Sequence, residues 1–245
     1  MLDMGTSVLV ITGCIAPPKG VSDLVIARSE ERLQQYRQCV QWAVEMTDFK
    51  NIVFCDNSNF AVQQDLVENA ARKGKNLEWL SFQGDAARVA MQGKGYGEGE
   101  ILQYVVKRSS LFAHADFFCK LTGRLTVQNM KSFCRKAKPT GLYLWCNGLN
   151  KNKTVNAIDT RFYGMPTQMY TTHFAKAYQN VDDRNGRWLE HCFFTAFRNA
   201  ELSATPIFFF PELRGKSGSM GVDYHLSAKV LLGKELTSGL GWYAP

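Results

Sequence analysis

The chain of 245 residues lacks any long hydrophobic run: its densest apolar stretch, PIFFFP at 206–211, is bracketed by prolines and falls far short of a membrane span. It lacks a CxxC pair and any Cys/His spacing of a zinc site, and its seven cysteines are an odd number, so neither a disulfide framework nor a structural zinc is indicated. Cys14, Cys55 and Cys119 lie in or beside strand-like runs, which suits core thiols in a reducing compartment. The N-terminus has a strand-like LVIT without a basic n-region or a small-residue cleavage site, so the expectation is a cytoplasmic protein with no secretory signal. There are only seven prolines and no repeat or low-complexity linker, and 21% charged with 45% hydrophobic residues describes a globular chain. One folded domain over 1–245 is expected, with halves of about 1–135 and 136–245.

Acid is scarce where base is abundant. The net charge is +7, and between Ile101 and Lys138 eight Lys or Arg residues (107, 108, 120, 124, 131, 135, 136, 138) face a single acid, Asp116. An anionic partner follows, and part of the run could lie on a solvated helix face or approach anionic phospholipid headgroups. The stretch shows no nucleic-acid-reading motif and no aromatic interleaving, so nucleic acid is not the expected partner.

Strand-like and helix-like runs alternate. SVLVITGCI (7–15) reads as a strand, Ser29 to Met46 as an amphipathic helix with Glu30 and Glu31 in its first turn, and NIVF (51–54) as a second strand running into the polar turn CDNSN. A helix over 60–73 stopped at Gly74, a strand LEWLSF (77–82) and a helix after Gly99 follow. DFFCKLTGR (116–124) reads as a buried strand closed by a turn. Beyond it come a helix over 127–138, a strand GLYLWCN (141–147), a polar loop over 147–156, strand residues around Asp159 and Arg161 in AIDTRFYGM and a short helix in HFAKAYQNV. RWLEHCFFTAFRN (187–199) is helical by pattern, and apolar residues at helical spacing recur in VDYHLSAKVLLGKEL. The fold class is α/β, a sandwich with a mostly parallel central sheet.

Several clusters could carry chemistry. Lys120, Thr122 and Arg124 close a strand, where ligands of open α/β sheets sit, and a point charge beside a planar fork suits phosphate oxygens. They are otherwise ordinary solvated charges at a strand end. GKGYGEGE (93–100), with Lys94 and Gly95, is either a phosphate-cradling loop or a flexible connector; it has neither the GK[ST] ending of a P-loop nor a strand-adjacent GxGxxG. RGKSGSMG (214–221), with Arg214, Lys216 and Ser217, has the composition of an anion-binding nest or of a plain surface loop. His225 either contacts a phosphate or packs beside Tyr224; Asp182-Asp183 before Asn185-Gly186 looks like a turn and helix cap.

The order of VLVITGCI, a helix with Arg28 and Tyr36, IVFCDNSN, GKGYGEGEI and FFCKLTGR resembles bacterial glycosyltransferases of the GT-A type found in surface-polysaccharide (capsule or lipopolysaccharide) assembly. The resemblance covers roughly the first 130 residues. It implies a GT-A-like three-layer sandwich, a nucleotide-sugar donor and a glycan or lipid-linked acceptor. It implies that Asp56, Asn57 and Ser58 touch the nucleotide base, and that Thr12, Gly13 and Arg28 belong to the donor site. The family's Asp-x-Asp is missing, its slot being filled by Lys120 to Arg124. The reading is that no cofactor is required and that Lys120 and Arg124 neutralise the diphosphate directly, with divalent-metal dependence left open. The family's late helix-opening acid matches Glu190, with His191 adjacent, as base for the acceptor hydroxyl. Asp159 and the Asp182-Asp183 pair are further carboxylate candidates. The competing readings are a sugar nucleotidylyltransferase and a non-enzymatic basic module binding anionic polymer.

Overall fold

The computed structural model describes residues 1–17, 28–146, 157–216 and 223–240. β1 (Ser7–Gly13) is buried along its whole length, as a strand covered on both faces must be. β2 (Asn51–Asp56) and β4 (Phe117–Thr122) flank it in parallel, and β3 (Asn76–Ser81) extends the sheet beyond β2. β6 (Phe162–Pro166) closes the other edge antiparallel to β4, giving the order β3-β2-β1-β4-β6. A separate two-stranded pairing joins β5 (Thr126–Val127) to β7 (Leu213–Arg214).

Alternate residues of each strand serve two cores. One face packs α1 (Ser29–Met46), α2 (Gln64–Arg72) and α6 (Met130–Lys136) over Leu9, Ile11, Phe54 and Leu121. The opposite face packs α4 (Lys94–Arg108) and α8 (Leu189–Asn199) over Val8, Val10, Val53 and Phe118. This is a three-layer α/β arrangement with a mostly parallel central sheet. Shorter helices, α3 (Ala86–Gln92), α5 (Ser110–Ala113) and α7 (Thr167–Met169), and α9 (Ala228–Gly239) complete the set among the described residues. From β1 the chain builds outward through β2 to β3, then returns to β4 on the other side of β1. The ends of β1 and β4 therefore meet at a topological switch point, where a crevice opens in sheets of this kind.

Four local expectations are corrected. The helix expected over 60–73 begins only at Gln64, because Asp56 captures the backbone N–H of Phe60 at 3.0 Å and Asn59 turns through φ 55°. The segment expected as a strand at 141–147 makes isolated bridges at Tyr143 and Cys146; Leu142 instead exchanges hydrogen bonds with Thr205, its N–H donating to Oγ1 at 3.0 Å and its carbonyl accepting from Thr205 N–H at 2.7 Å. HFAKAYQNV is not one helix but the end of a π turn (Tyr170–Phe174) and a 3-10 turn (Ala177–Asn180). GKGYGEGE is neither a loop nor a connector: it is the first half of α4. Only Gly93, at φ 101°, uses glycine's backbone freedom; Gly95, Gly97 and Gly99 are buried where the helix is pressed against Leu189, Val89 and Tyr178. The polar loop expected over 147–156 lies outside the described residues.

Candidate active site

At the switch point, Thr12 is Cα partner to Thr122, and the Thr12 carbonyl accepts from Gly123 N–H at 2.8 Å. Gly13 and Gly123 are required by close approach: a Cβ on Gly13 would come within 2.6 Å of the Phe54 ring, and one on Gly123 within 2.5 Å of the Thr12 carbonyl. Tyr36 of α1 fills the space behind them. Its hydroxyl accepts from Cys14 N–H at 3.0 Å and from Arg32 at 3.2 Å, while Arg32 also donates through Nε to the Cys14 carbonyl at 2.7 Å.

Asp56 is fully buried at the end of β2, and its carboxylate is occupied within the fold. It accepts from the N–H of Ile15 at 2.7 Å, of Ser58 at 3.0 Å and of Phe60 at 3.0 Å, and from the Ser58 hydroxyl. Ser58 Oγ in turn accepts from Ala16 N–H at 2.9 Å. The expectation that Asp56 and Ser58 face a base is thus corrected: they tie the turn after β1 to the turn after β2. Asn57 takes part by its backbone, donating to the Gly13 carbonyl at 3.2 Å.

Lys120 is also corrected. Strand alternation sends it to the α4 side, where it is completely buried. Its ammonium is paired with Glu98 of α4 and donates to Thr122 Oγ1 at 2.7 Å and to the Thr160 carbonyl at 2.6 Å. All three ammonium protons are committed, so Lys120 is not presented to a diphosphate. Thr160 extends the chain of contacts, its hydroxyl donating to Glu190 Oε1 at 3.1 Å. Burial at the start of α8 pushes the Glu190 carboxyl above its ordinary value, with Glu98 and Asp159 adding repulsion. A carboxylate held this way is a stronger proton acceptor than one in water. Asp159 is engaged by Arg161 at 2.5 Å, and Arg161 lies 4.7 Å from the Tyr224 ring centroid.

Arg124 stands on the opposite face of the sheet from Lys120. It adopts φ 70°, uncommon for a residue with a Cβ and frequent at binding sites. Its guanidinium lies 5.8 Å from the Tyr36 ring centroid, Nη1 reaches Gln35 Oε1 at 3.4 Å, and Nε is buried with no hydrogen-bond partner among the described residues. It opens onto a cleft of about 320 Å³ lined by Gln35, Gln38, Cys39, Thr126, Arg214, Gly215 and Lys216 as well as itself. Arg214 donates to Glu212 Oε1 at 2.8 Å and lies against His225 Nδ1. Burial pushes the Cys39 thiol up to about 12, so it is an inert wall.

The structure therefore brings Arg124, Lys216 and His225 to one cleft and its rim, and Lys120 with Glu190 to a separate polar cluster across the strand ends. Arg28 is exposed at the N-cap of α1, one turn before Arg32. Lys94 and Gly95 are corrected as phosphate ligands: they open α4, where the Asp183 carboxylate accepts from Gly95 N–H at 3.4 Å and Gly95 packs on Leu189. Asp182 caps a 3-10 turn, accepting from Asn185 N–H at 3.3 Å. His191 is held at the start of α8, its Nδ1 accepting from Trp188 N–H at 3.3 Å. Ser217 lies outside the described residues. Glu98, Thr160 and Arg32 were not singled out by sequence; Glu98 sits in the glycine-rich stretch, and only its helical phase could have aimed it at β4.

Among the described residues, no group of three or more His, Cys, Asp or Glu side chains converges so as to hold a metal ion.

No protein-family profile and no curated protein sequence matches the chain. Among solved structures it is similar to the glycosyltransferase GlyE of Streptococcus pneumoniae, at 10% identity and a TM-score of 0.48, covering 78% of this chain and 43% of that one. It is similar to the 4-diphosphocytidyl-2C-methyl-D-erythritol synthase of Anaerococcus prevotii, at 6% identity and a TM-score of 0.43, covering 97% and 96% of the two chains. It also resembles a cytidylyltransferase from Leptospira borgpetersenii, at 12% identity and a TM-score of 0.38, covering 80% and 72%. The chain spans less than half the length of the pneumococcal protein.

Proposed function

We propose that the chain is a glycosyltransferase of surface-polysaccharide assembly, moving a sugar from a nucleotide-sugar donor to a glycan or lipid-linked acceptor. The observation that carries this reading is the cationic cleft beside the switch point, where Arg124, Arg214 and Lys216 surround a volume suited to a diphosphate. In the step proposed, the acceptor hydroxyl oxygen bonds to the anomeric carbon as the bond from that carbon to the diphosphate oxygen breaks. The electron pair leaves with the diphosphate, and the hydroxyl proton goes to Glu190, which requires the donor sugar to reach from the Arg124 cleft across the strand ends to the Glu190 cluster. Negative charge grows on the departing oxygen, and fixed cations there lower the barrier because they need no reorganisation.

The test is thermal unfolding of the full chain with UDP, CDP, GDP, dTDP and CMP, with and without Mn²⁺. One nucleotide should raise Tm by mass action. Arg124→Ala should weaken its binding roughly 10- to 100-fold, the loss expected for a hydrogen bond to a charged group. If none of the nucleotides shifts Tm, or Arg124→Ala binds as well as the native chain, the reading fails. Product analysis separates the chemistry. Release of a nucleoside diphosphate from a sugar nucleotide is expected; release of pyrophosphate from a nucleoside triphosphate and a sugar phosphate would replace glycosyl by nucleotidylyl transfer.

A further inference from the structure

The outer surface of α9 carries a feature that the proposed chemistry does not use. Leu232, Leu236 and Leu240 recur at i, i+4 and i+8, so they form one stripe, and they are 59%, 52% and 64% exposed. Contacts settle which side of the helix faces the protein. Leu231 packs on the core, Lys234 lies 4.3 Å from the Phe210 ring centroid, and Glu235, the helix's only acid, accepts from Asn129 at 3.3 Å. The leucine stripe is the opposite side, and exposed Lys229 shares it by spacing. Phe208, 55% exposed, continues the patch, since its ring lies against Gly239.

A cation stands at the edge of the patch, with two more beside it in the chain. Lys136, in the last turn of α6, donates to the Phe208 carbonyl at 2.5 Å, and Arg135 and Lys138 beside it in the chain are exposed. Four half-exposed apolar side chains present on the order of 400 Å² of surface, the scale at which a patch marks a contact site. That is about half of the ~800 Å² per partner of a standard protein interface. A second copy docked here would also bring the cations at the edge of the patch, Lys229 and Lys136 among them, toward those of its partner.

We propose that this face seats the chain on a membrane of anionic phospholipid. The leucines and Phe208 enter the headgroup boundary and the flanking cations pair with lipid phosphates, as amphipathic interfacial helices do. The inference uses surface residues only and stands independently of the proposed transfer reaction.

Vesicle co-sedimentation of the full chain tests it. Binding to phosphatidylglycerol-containing vesicles and none to phosphatidylcholine alone is expected, weakening as salt is raised. Leu232→Gln/Leu236→Gln should reduce partitioning at least tenfold. Arg135→Gln/Lys138→Gln should reduce it roughly fivefold per charge, from about 1 kcal/mol each near an anionic surface. Melting curves of each variant establish that it folds, and light scattering follows mass. The proposal is overturned if the native chain ignores anionic vesicles, if the folded leucine variant binds them equally well, or if the native chain is a dimer that this variant converts to monomer.

Discussion

Replacing Lys120 by methionine keeps the length of the stem and removes the ammonium, which asks directly whether this residue ties the fold together or grips a ligand. The side chain is completely buried, and its partner Glu98 is 23% exposed. Breaking a buried pair by removing one partner costs about 3–5 kcal/mol, because the remaining charge is stranded away from water. Lys120→Met leaves Glu98 with partial access to solvent, which places the loss near the lower bound, about 3 kcal/mol. Glu98→Gln leaves the fully enclosed ammonium with neutral acceptors only and no counter-charge, and belongs near the upper bound. In the double variant neither charge is left, so its loss should fall short of the sum of the singles by about 2 kcal/mol or more. Urea unfolding of the four proteins measures each value and the coupling. A Lys120→Met loss below about 1 kcal/mol, or singles that add within about 0.5 kcal/mol, would refute the tie. Unchanged stability with weakened nucleotide binding would restore Lys120 as a phosphate ligand.

Two further outcomes follow from the α4 and α8 faces. Gly99→Ala should destabilise by about 1–3 kcal/mol in thermal unfolding, although alanine is the better helix former, because the added methyl meets Tyr178; a stabilised variant would remove the packing account of the glycines. Glu190→Gln should lower transfer on the order of 10²- to 10⁴-fold with nucleotide affinity unchanged, and the native activity should fall on acidification at a pH above the ordinary glutamate value of 4.5. Burial raises this carboxyl in the folded state, so the unfolded chain releases its proton first, and the native protein loses stability as pH rises from 4.5 toward the folded value. The stability advantage of Glu190→Gln in urea should therefore widen over that window and then level off; a flat difference would show that Glu190 is not desolvated.

The sheet was legible because its strands are covered on both faces. Runs such as SVLVITG and NIVF read as near-continuous apolar segments, and the helix between them shows its core side in Tyr36, Val40, Ala43 and Val44. The glycines of 93–99 were misread because glycine permits two unrelated things, a positive φ and a close approach. Only Gly93 does the first, while the neighbours that explain Gly95 and Gly99 lie about 80 to 95 residues further along the chain. Lys120 was misread for a similar reason. In FFCKLT it looks like the charged end of a strand, whereas its register partners Val10 and Tyr163 put it inside the sheet, facing a carboxylate that only the phase of α4 delivers.

Arg124 marks the limit of what pattern can reveal. A cation just past a strand is visible in the sequence, but the cleft it opens onto depends on Arg214 and Lys216, about 90 residues later. They arrive through the pairing of Thr126 with Arg214 and Val127 with Leu213, strands of two residues each, too short to leave any alternation. Gly215, at φ 123°, then lies directly against the Arg124 carbonyl, where a Cβ would clash with backbone. The cationic cleft is thus assembled by a backbone contact at one glycine and one short ladder. That explains why its separate halves could be read as candidate anion ligands while their convergence could not.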